Sequence, residues 1–143
     1  MAQRLNGVAK FEVVEIQDGQ TFRPGVLHIA PGGKHIRVKS LGGALVAEVR
    51  DDAGESVYKP SVDVAAESLK ASIGKDVVAV MLTGMGNDGA RELKALHSAG
   101  AHVLTQDEAT CTVYGMAKAV VAAGASDETL PLNQIAGRLN QLI

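Results

Sequence analysis

An apolar run that breaks straight into a glycine-rich bend constrains this chain more than anything else in it. Residues 77–82 carry no polar side chain, and Thr83-Gly84-Met85-Gly86-Asn87-Asp88-Gly89 follows at once. A short apolar run bounded by turn residues is expected of a strand covered on both faces of a parallel sheet. Ala90, Leu93 and Leu96 then recur at helical spacing with Gly100 just past the end, which predicts a helix over 89–99. Residues 101–105 form a second apolar run. A strand–helix–strand unit of this length requires a parallel pair with a right-handed crossover. The bend then lies at the carboxyl end of the first strand, where parallel α/β sheets bind ligands.

The rest of the chain extends the pattern. Short strand-like runs at 11–16, 26–30, 35–39 and 44–49 are separated by the polar turn 17–20, by Pro31-Gly32-Gly33 and by Gly42-Gly43, a pattern that predicts antiparallel hairpins. Residues 51–56 are polar and read as a loop. After Pro60 the period changes. Ser61 is placed to cap a helix with Val62, Ala65, Leu69 and Ile73 on one stripe, closed by Gly74. A further helix is predicted over 116–123, stopped by Gly124. Asn133 is placed to cap a last one that turns Ile135, Leu139 and Leu142 inward. With 46% hydrophobic but only 3% aromatic residues, the core is built from Val, Leu, Ile and Ala, which suits helix-on-sheet layers. The expected fold is one α/β domain over 1–143. It has three layers, with a mostly parallel doubly wound sheet from the βα units of 57–143 and an antiparallel β-hairpin annex in 1–56.

Several function classes fall away. The net charge is −2 with Lys and Arg scattered, so no nucleic-acid or anionic-membrane footprint is present. The lone Cys111 excludes an internal disulfide and is expected as a packing residue in a reducing compartment. No apolar run approaches membrane-spanning length, so a cytoplasmic protein is expected. His28, His35, His97 and His102 follow no metal-ligand spacing, and no metal or cofactor is expected.

The bend itself supports three readings. Gly84, Gly86 and Gly89 match G-x-G-x-x-G, with Asp107 where a ribose acid belongs, which would make a nucleotide-binding module. Against it, a carboxylate at Asp88 repels the pyrophosphate that a helix N-terminus attracts. In the second reading Asp88 orients a catalytic histidine. The glycines then let the backbone turn sharply and leave N–H groups for an oxyanion. In the third, Asp88 simply caps the helix that follows it.

The bend does not stand alone. Residues 82–90 resemble the signature loop of the bacterial chemotaxis protein-glutamate methylesterases, the CheB type. Arg23-Pro24-Gly25 with Ile29-Ala30-Pro31-Gly32-Gly33-Lys34-His35 resembles that family's "PG…IAPG.KH" stretch. Pro60-Ser61-Val62-Asp63-Val64 resembles "RPSVDV", with Lys59 where Arg is usual. Gln106-Asp107-Glu108-Ala109-Thr110-Cys111 and Val113-Tyr114-Gly115-Met116 resemble "QDEASCVVFGM", with Ala117 in place of the usual proline.

The resemblance implies an α/β hydrolase that removes methyl esters from chemoreceptor glutamates and deamidates receptor glutamines with a Ser-His-Asp triad. Its partners would be methyl-accepting chemotaxis receptors. By motif position Asp88 matches the triad aspartate and Met85 the residue whose backbone N–H meets the oxyanion. Thr83, Gly84, Gly86, Asn87 and Gly89 complete the loop, and Asp107 and Glu108 are candidates for the substrate region. The family's serine and histidine motifs, "GAS-T/S-GG" and "QHMP", do not occur in these residues, and no serine here sits in a glycine-flanked elbow. The expectation is therefore a fold truncated on its N-terminal side, inactive alone and prone to self-association through exposed sheet edge. A non-catalytic receptor-binding paralogue is the alternative.

Overall fold

The computed structural model describes residues 1–51 and 56–143; most of the polar stretch expected as a loop at 51–56 lies outside them. A short helix α1 (Ala2–Asn6) precedes strands β1 (Val13–Glu15), β2 (Leu27–Ile29), β3 (His35–Leu41) and β4 (Ala44–Arg50). Helix α2 (Val62–Ser72) and a 3-10 turn (Gly74–Asp76) lead into β5 (Val78–Met81) and α3 (Ala90–Ser98). Then come β6 (His102–Gln106), α4 (Met116–Ala122), β7 (Glu128–Leu130) and α5 (Leu132–Leu142). The chain is α/β: β5, β6 and β7 form a parallel sheet in that order, and the β5–α3–β6 unit is present as the periodicity requires.

The annex differs from the expected series of hairpins. Among the described residues only β3 and β4 make one. Leu41 pairs with Ala44 across Gly42 and Gly43, whose positive φ values of 58° and 83° suit the tight turn that matches strand twist. By contrast β1 and β2 run parallel, Val13 opposite Leu27. The reason lies in the segment between them, which runs out along the edge of β4 instead of turning back. Gly19 donates to the Ala47 carbonyl, the Ala47 N–H to Gln20, and Phe22 to Leu45, each at 2.8 Å. The opposite edge, on β3, is closed by α2: the Val38 N–H donates to Ser68 Oγ at 2.9 Å and Ser72 Oγ donates to the Val38 carbonyl at 2.7 Å. Both edges of the hairpin are thereby partly covered.

Helix α2 separates two apolar clusters. One gathers Leu93, Leu96, Val103, Ala117 and Val120 with Ala66; the other gathers Ile16, Ile36 and Ala47, against which Ala65 packs. The expected stripe is thus divided: Val62, Leu69 and Ile73 join the first cluster and Ala65 faces the second. Strand β5 also departs from expectation. It is the edge of its sheet, so Val78, Ala79 and Val80 are only half-buried. They line an apolar groove with Val62, Ala65 and Leu69. At the other end, Pro131 rather than Asn133 precedes α5, and Asn133 lies inside the helix, exposed.

Asp127 ties the sheet to α3. Its Oδ2 accepts from the Val103 N–H at 2.7 Å, its Oδ1 lies 3.0 Å from His97 Nε2, and His102 Nδ1 is 3.7 Å from Oδ2. Burial works against the charged carboxyl, but the Val103 N–H and the two imidazoles outweigh it and hold it below the ordinary aspartate value. A depressed folded-state value means that the stabilisation is complete above the unfolded value and is lost as pH falls through the folded one. Stability is therefore expected to decline below pH 3.8. Asp127→Asn should make that acid limb shallower and cost about 1 kcal/mol at neutral pH. Urea unfolding across a pH series checks both, and an unchanged acid limb in the variant would contradict the assignment.

Candidate active site

Asp88 lies just beyond the carboxyl end of β5 and is 8% exposed. Its carboxylate does not cap its own helix. The residue at the head of α3 is Gly89, with φ 93° and no side-chain cap. Asp88 reaches across to the first turn of α2 instead. Oδ1 accepts from Ser61 Oγ at 2.7 Å and from the Asp63 N–H at 3.3 Å; Oδ2 accepts from the Val62 N–H at 2.6 Å. Ser61 Oγ in turn accepts from the Val64 N–H. The first three N–H groups of α2, which have no partner within the helix, are all taken up in this way. An ionised carboxylate offers about four acceptor positions, so three donors leave one open, on Oδ2.

The exchange runs in both directions. Asp63, in the first turn of α2, accepts the Glu92 N–H from the first turn of α3 on Oδ1 at 3.0 Å. Lys70 and Arg91 both contact Glu92, at 3.2 and 3.0 Å. Burial works against the charge on Glu92, yet the two cations hold its carboxyl below the ordinary range.

The bend before Asp88 is laid against residues 113–116. Gly84 donates to the Val113 carbonyl at 3.1 Å and its own carbonyl receives the N–H groups of Gly115 and Met116 at 3.2 and 2.9 Å. Thr83 Oγ1 accepts from the Val113 N–H at 2.9 Å, and the Thr83 N–H donates to Gln106 Oε1 at 2.8 Å. Gln106 is buried and uses its amide nitrogen on the Thr110 carbonyl at 2.7 Å, so one side chain spans the bend and the loop after β6.

Each glycine of the bend faces a filled space. A Cβ on Gly84 would sit 2.5 Å from Met116 Sδ; one on Gly86, 2.7 Å from the Tyr58 hydroxyl; one on Gly89, 2.6 Å from Val62 Cγ1. A side chain at any of the three would collide with the protein's own Met116, Tyr58 or Val62, and Asp88 adds a negative charge unsuited to a pyrophosphate. The G-x-G-x-x-G spacing here serves packing.

Met85 is 82% exposed. Among the described residues its N–H and that of Gly86 have no protein acceptor. Around the bend Val57, Tyr58, Leu82 and Val113 are also exposed. Asn87 is exposed, and its carbonyl accepts from Ala90. Asp107 is used within its own turn, Oδ1 accepting from the Thr110 N–H at 3.0 Å and from its hydroxyl. Glu108 is exposed. His97 lies within hydrogen-bond distance of Asp127 and His102 of Glu128, and Cys111 is half-buried against the first cluster. His35 is buried with neither ring nitrogen hydrogen-bonded among the described residues. Sequence reading missed the roles of Ser61, Asp63 and Gln106 in fixing the bend. Their signal was only their presence in the recurring "PSVDV" and "QDEA" stretches, because the bonds they make span 23 to 29 residues.

Comparison with known proteins agrees with this geometry. Residues 1–139 match the family model of the CheB methylesterase. The chain is 44% identical over 135 residues to protein-glutamate methylesterase/protein-glutamine glutaminase 1 of Oleidesulfovibrio alaskensis, covering 94% of this chain and 37% of that relative. It is 45% identical over 138 residues to the protein of the same name from Vibrio cholerae, covering 96% and 37%. The CheB methylesterase catalytic domain of Thermotoga maritima superposes with a TM-score of 0.95 at 32% identity, over 99% of this chain and 75% of that one. The chain thus spans less than two-fifths of the length of these two curated relatives. A common fold, a common bend and this identity along nearly the whole sequence place the chain in the CheB methylesterase family.

Proposed function

We propose that these residues form the carboxylate and oxyanion side of a protein-glutamate methylesterase and glutaminase site that acts on chemoreceptors. One observation carries this reading. Asp88 is fixed at the carboxyl end of β5 by three donors, with one acceptor position left on Oδ2. A carboxylate so held can take the N–H of an imidazole, fix its tautomer and stabilise the imidazolium formed during reaction. That imidazole would draw the proton from a serine hydroxyl as the oxygen attacks the ester carbonyl. The tetrahedral oxyanion would meet the Met85 N–H, and methanol, or ammonia from a glutamine, would leave with a proton from the imidazole. Serine and histidine come from outside the 143 residues in this scheme. No cofactor or metal enters it.

Receptor binding without chemistry is the second reading. It draws on the exposed apolar side chains of Val57, Tyr58, Leu82, Met85 and Val113 around the bend.

Methanol release from methyl-esterified receptor separates the two. The 143 residues alone are expected to show background turnover, because loss of nucleophile and base from such a triad costs on the order of 10⁶. Joined to a family segment that carries both, they should turn over, and Asp88→Ala should then abolish most of the gain. Receptor binding with no turnover in the joined protein would favour the second reading. A Cβ on Gly115 would stand 2.7 Å from the Gly84 carbonyl and 3.1 Å from the Gly86 nitrogen. Gly115→Ala should therefore displace the bend and cost about 1–3 kcal/mol of stability. Amide shifts at Met85 and Gly86 identical to those of the parent would refute that. The open β5 edge is expected to drive self-association, read as a rising sedimentation coefficient with concentration; a monomer at all concentrations would count against it.

A further inference from the structure

We propose that Asp63 is a positioning residue for Asp88, acting through a reciprocal exchange of caps between α2 and α3; this rests on the reading of Asp88 as the histidine-orienting carboxylate. Asp63 lies in the first turn of α2 and Asp88 two residues before α3. The Asp63 carboxylate accepts the Glu92 N–H at 3.0 Å, and Arg91 Nη2 approaches its other oxygen at 3.9 Å. The Asp63 N–H, with that of Val62, donates to Asp88. A ring is thereby closed through four chain bonds from Asp88 to Glu92, one hydrogen bond to Asp63, and one back to Asp88.

The consequence is mechanical. Gly89 joins Asp88 to α3 through a positive-φ residue, and only Asp63 among the described side chains takes an N–H from the first turn of α3. If α3 is released from α2 at this point, the Asp88 carboxylate is no longer aimed by both helices. Its second oxygen, the one with the open position, then loses its fixed direction. An orienting carboxylate needs a fixed direction as well as its charge to hold the imidazole tautomer.

The test uses the whole chain. Hydrogen exchange of the Val62 amide, whose nitrogen lies 2.6 Å from Asp88 Oδ2, reports the contact directly. Asp63→Ala should raise that exchange rate by roughly tenfold, the order of one lost cap. Asp63→Asn keeps an oxygen for the Glu92 N–H and should restore most of the protection. Ser68→Ala removes the bond to Val38 on the same helix, away from the ring, and should lower overall stability without changing Val62. Protection at Val62 unchanged in Asp63→Ala would overturn the proposal, as would an equal loss in Ser68→Ala. These rates do not depend on turnover, so a failed methanol assay would count against the esterase reading alone.

Discussion

Two helix N-termini meet beside the carboxyl end of β5, and the carboxylate of Asp88 is what allows them to. Each first turn carries N–H groups with no partner inside its helix and a partial positive charge. Burying either set unpaired would cost about 1–3 kcal/mol per group. Asp88 accepts from α2, Asp63 accepts from α3, and Ser61 completes the arrangement. The negative charges sit where both helix dipoles favour them. Asp88 is thus a cap for a helix other than the one it precedes, and its three donors leave one acceptor position unused.

This double use explains why the bend is rich in glycine. Strand β5 ends at Met81, and the chain must enter α3 nine residues later, at Ala90, without a side chain blocking α2, the stretch before it or α4. At Gly86 and Gly89 the backbone also adopts φ values of 95° and 93°, a region that a Cβ makes costly. Tyr58, Val62 and Met116 fill the spaces left free. The bend is therefore held by the protein's side chains from several sides, while Met85 is exposed and its N–H and that of Gly86 have no acceptor among the described residues. Rigid support behind and open donors in front is the arrangement that an anion-stabilising loop requires.

How far this was legible in the sequence depends on range. The period of 77–105 gave the β5–α3–β6 unit with its boundaries off by a residue at most, because local hydrophobic spacing and the flanking glycines carry that information. The Gly42-Gly43 turn was equally local. The parallel pairing of β1 and β2 was not legible, since it depends on hydrogen bonds from 19–22 to β4, some 25 residues away. Strand β7 escaped because Glu-Thr-Leu is short and polar, and is held by its neighbour β6. Asp88 was recognised, and so was the cap at Ser61, but not that the two belong to one cluster. Spacing along a chain describes a helix and its own cap; it says nothing of a cap delivered from another helix.

Helix α2 is where these separate parts become one structure. Its serines close the edge of β3, Ala65 packs on the hairpin cluster, Ala66 packs on the parallel-sheet cluster, and its N-terminus receives Asp88. Packed interiors hold few voids, so the helix is constrained by both clusters, through Ala65 on one and Ala66 on the other. The annex, which carries no candidate catalytic group, thereby packs against the same helix whose first turn holds the Asp88 carboxylate.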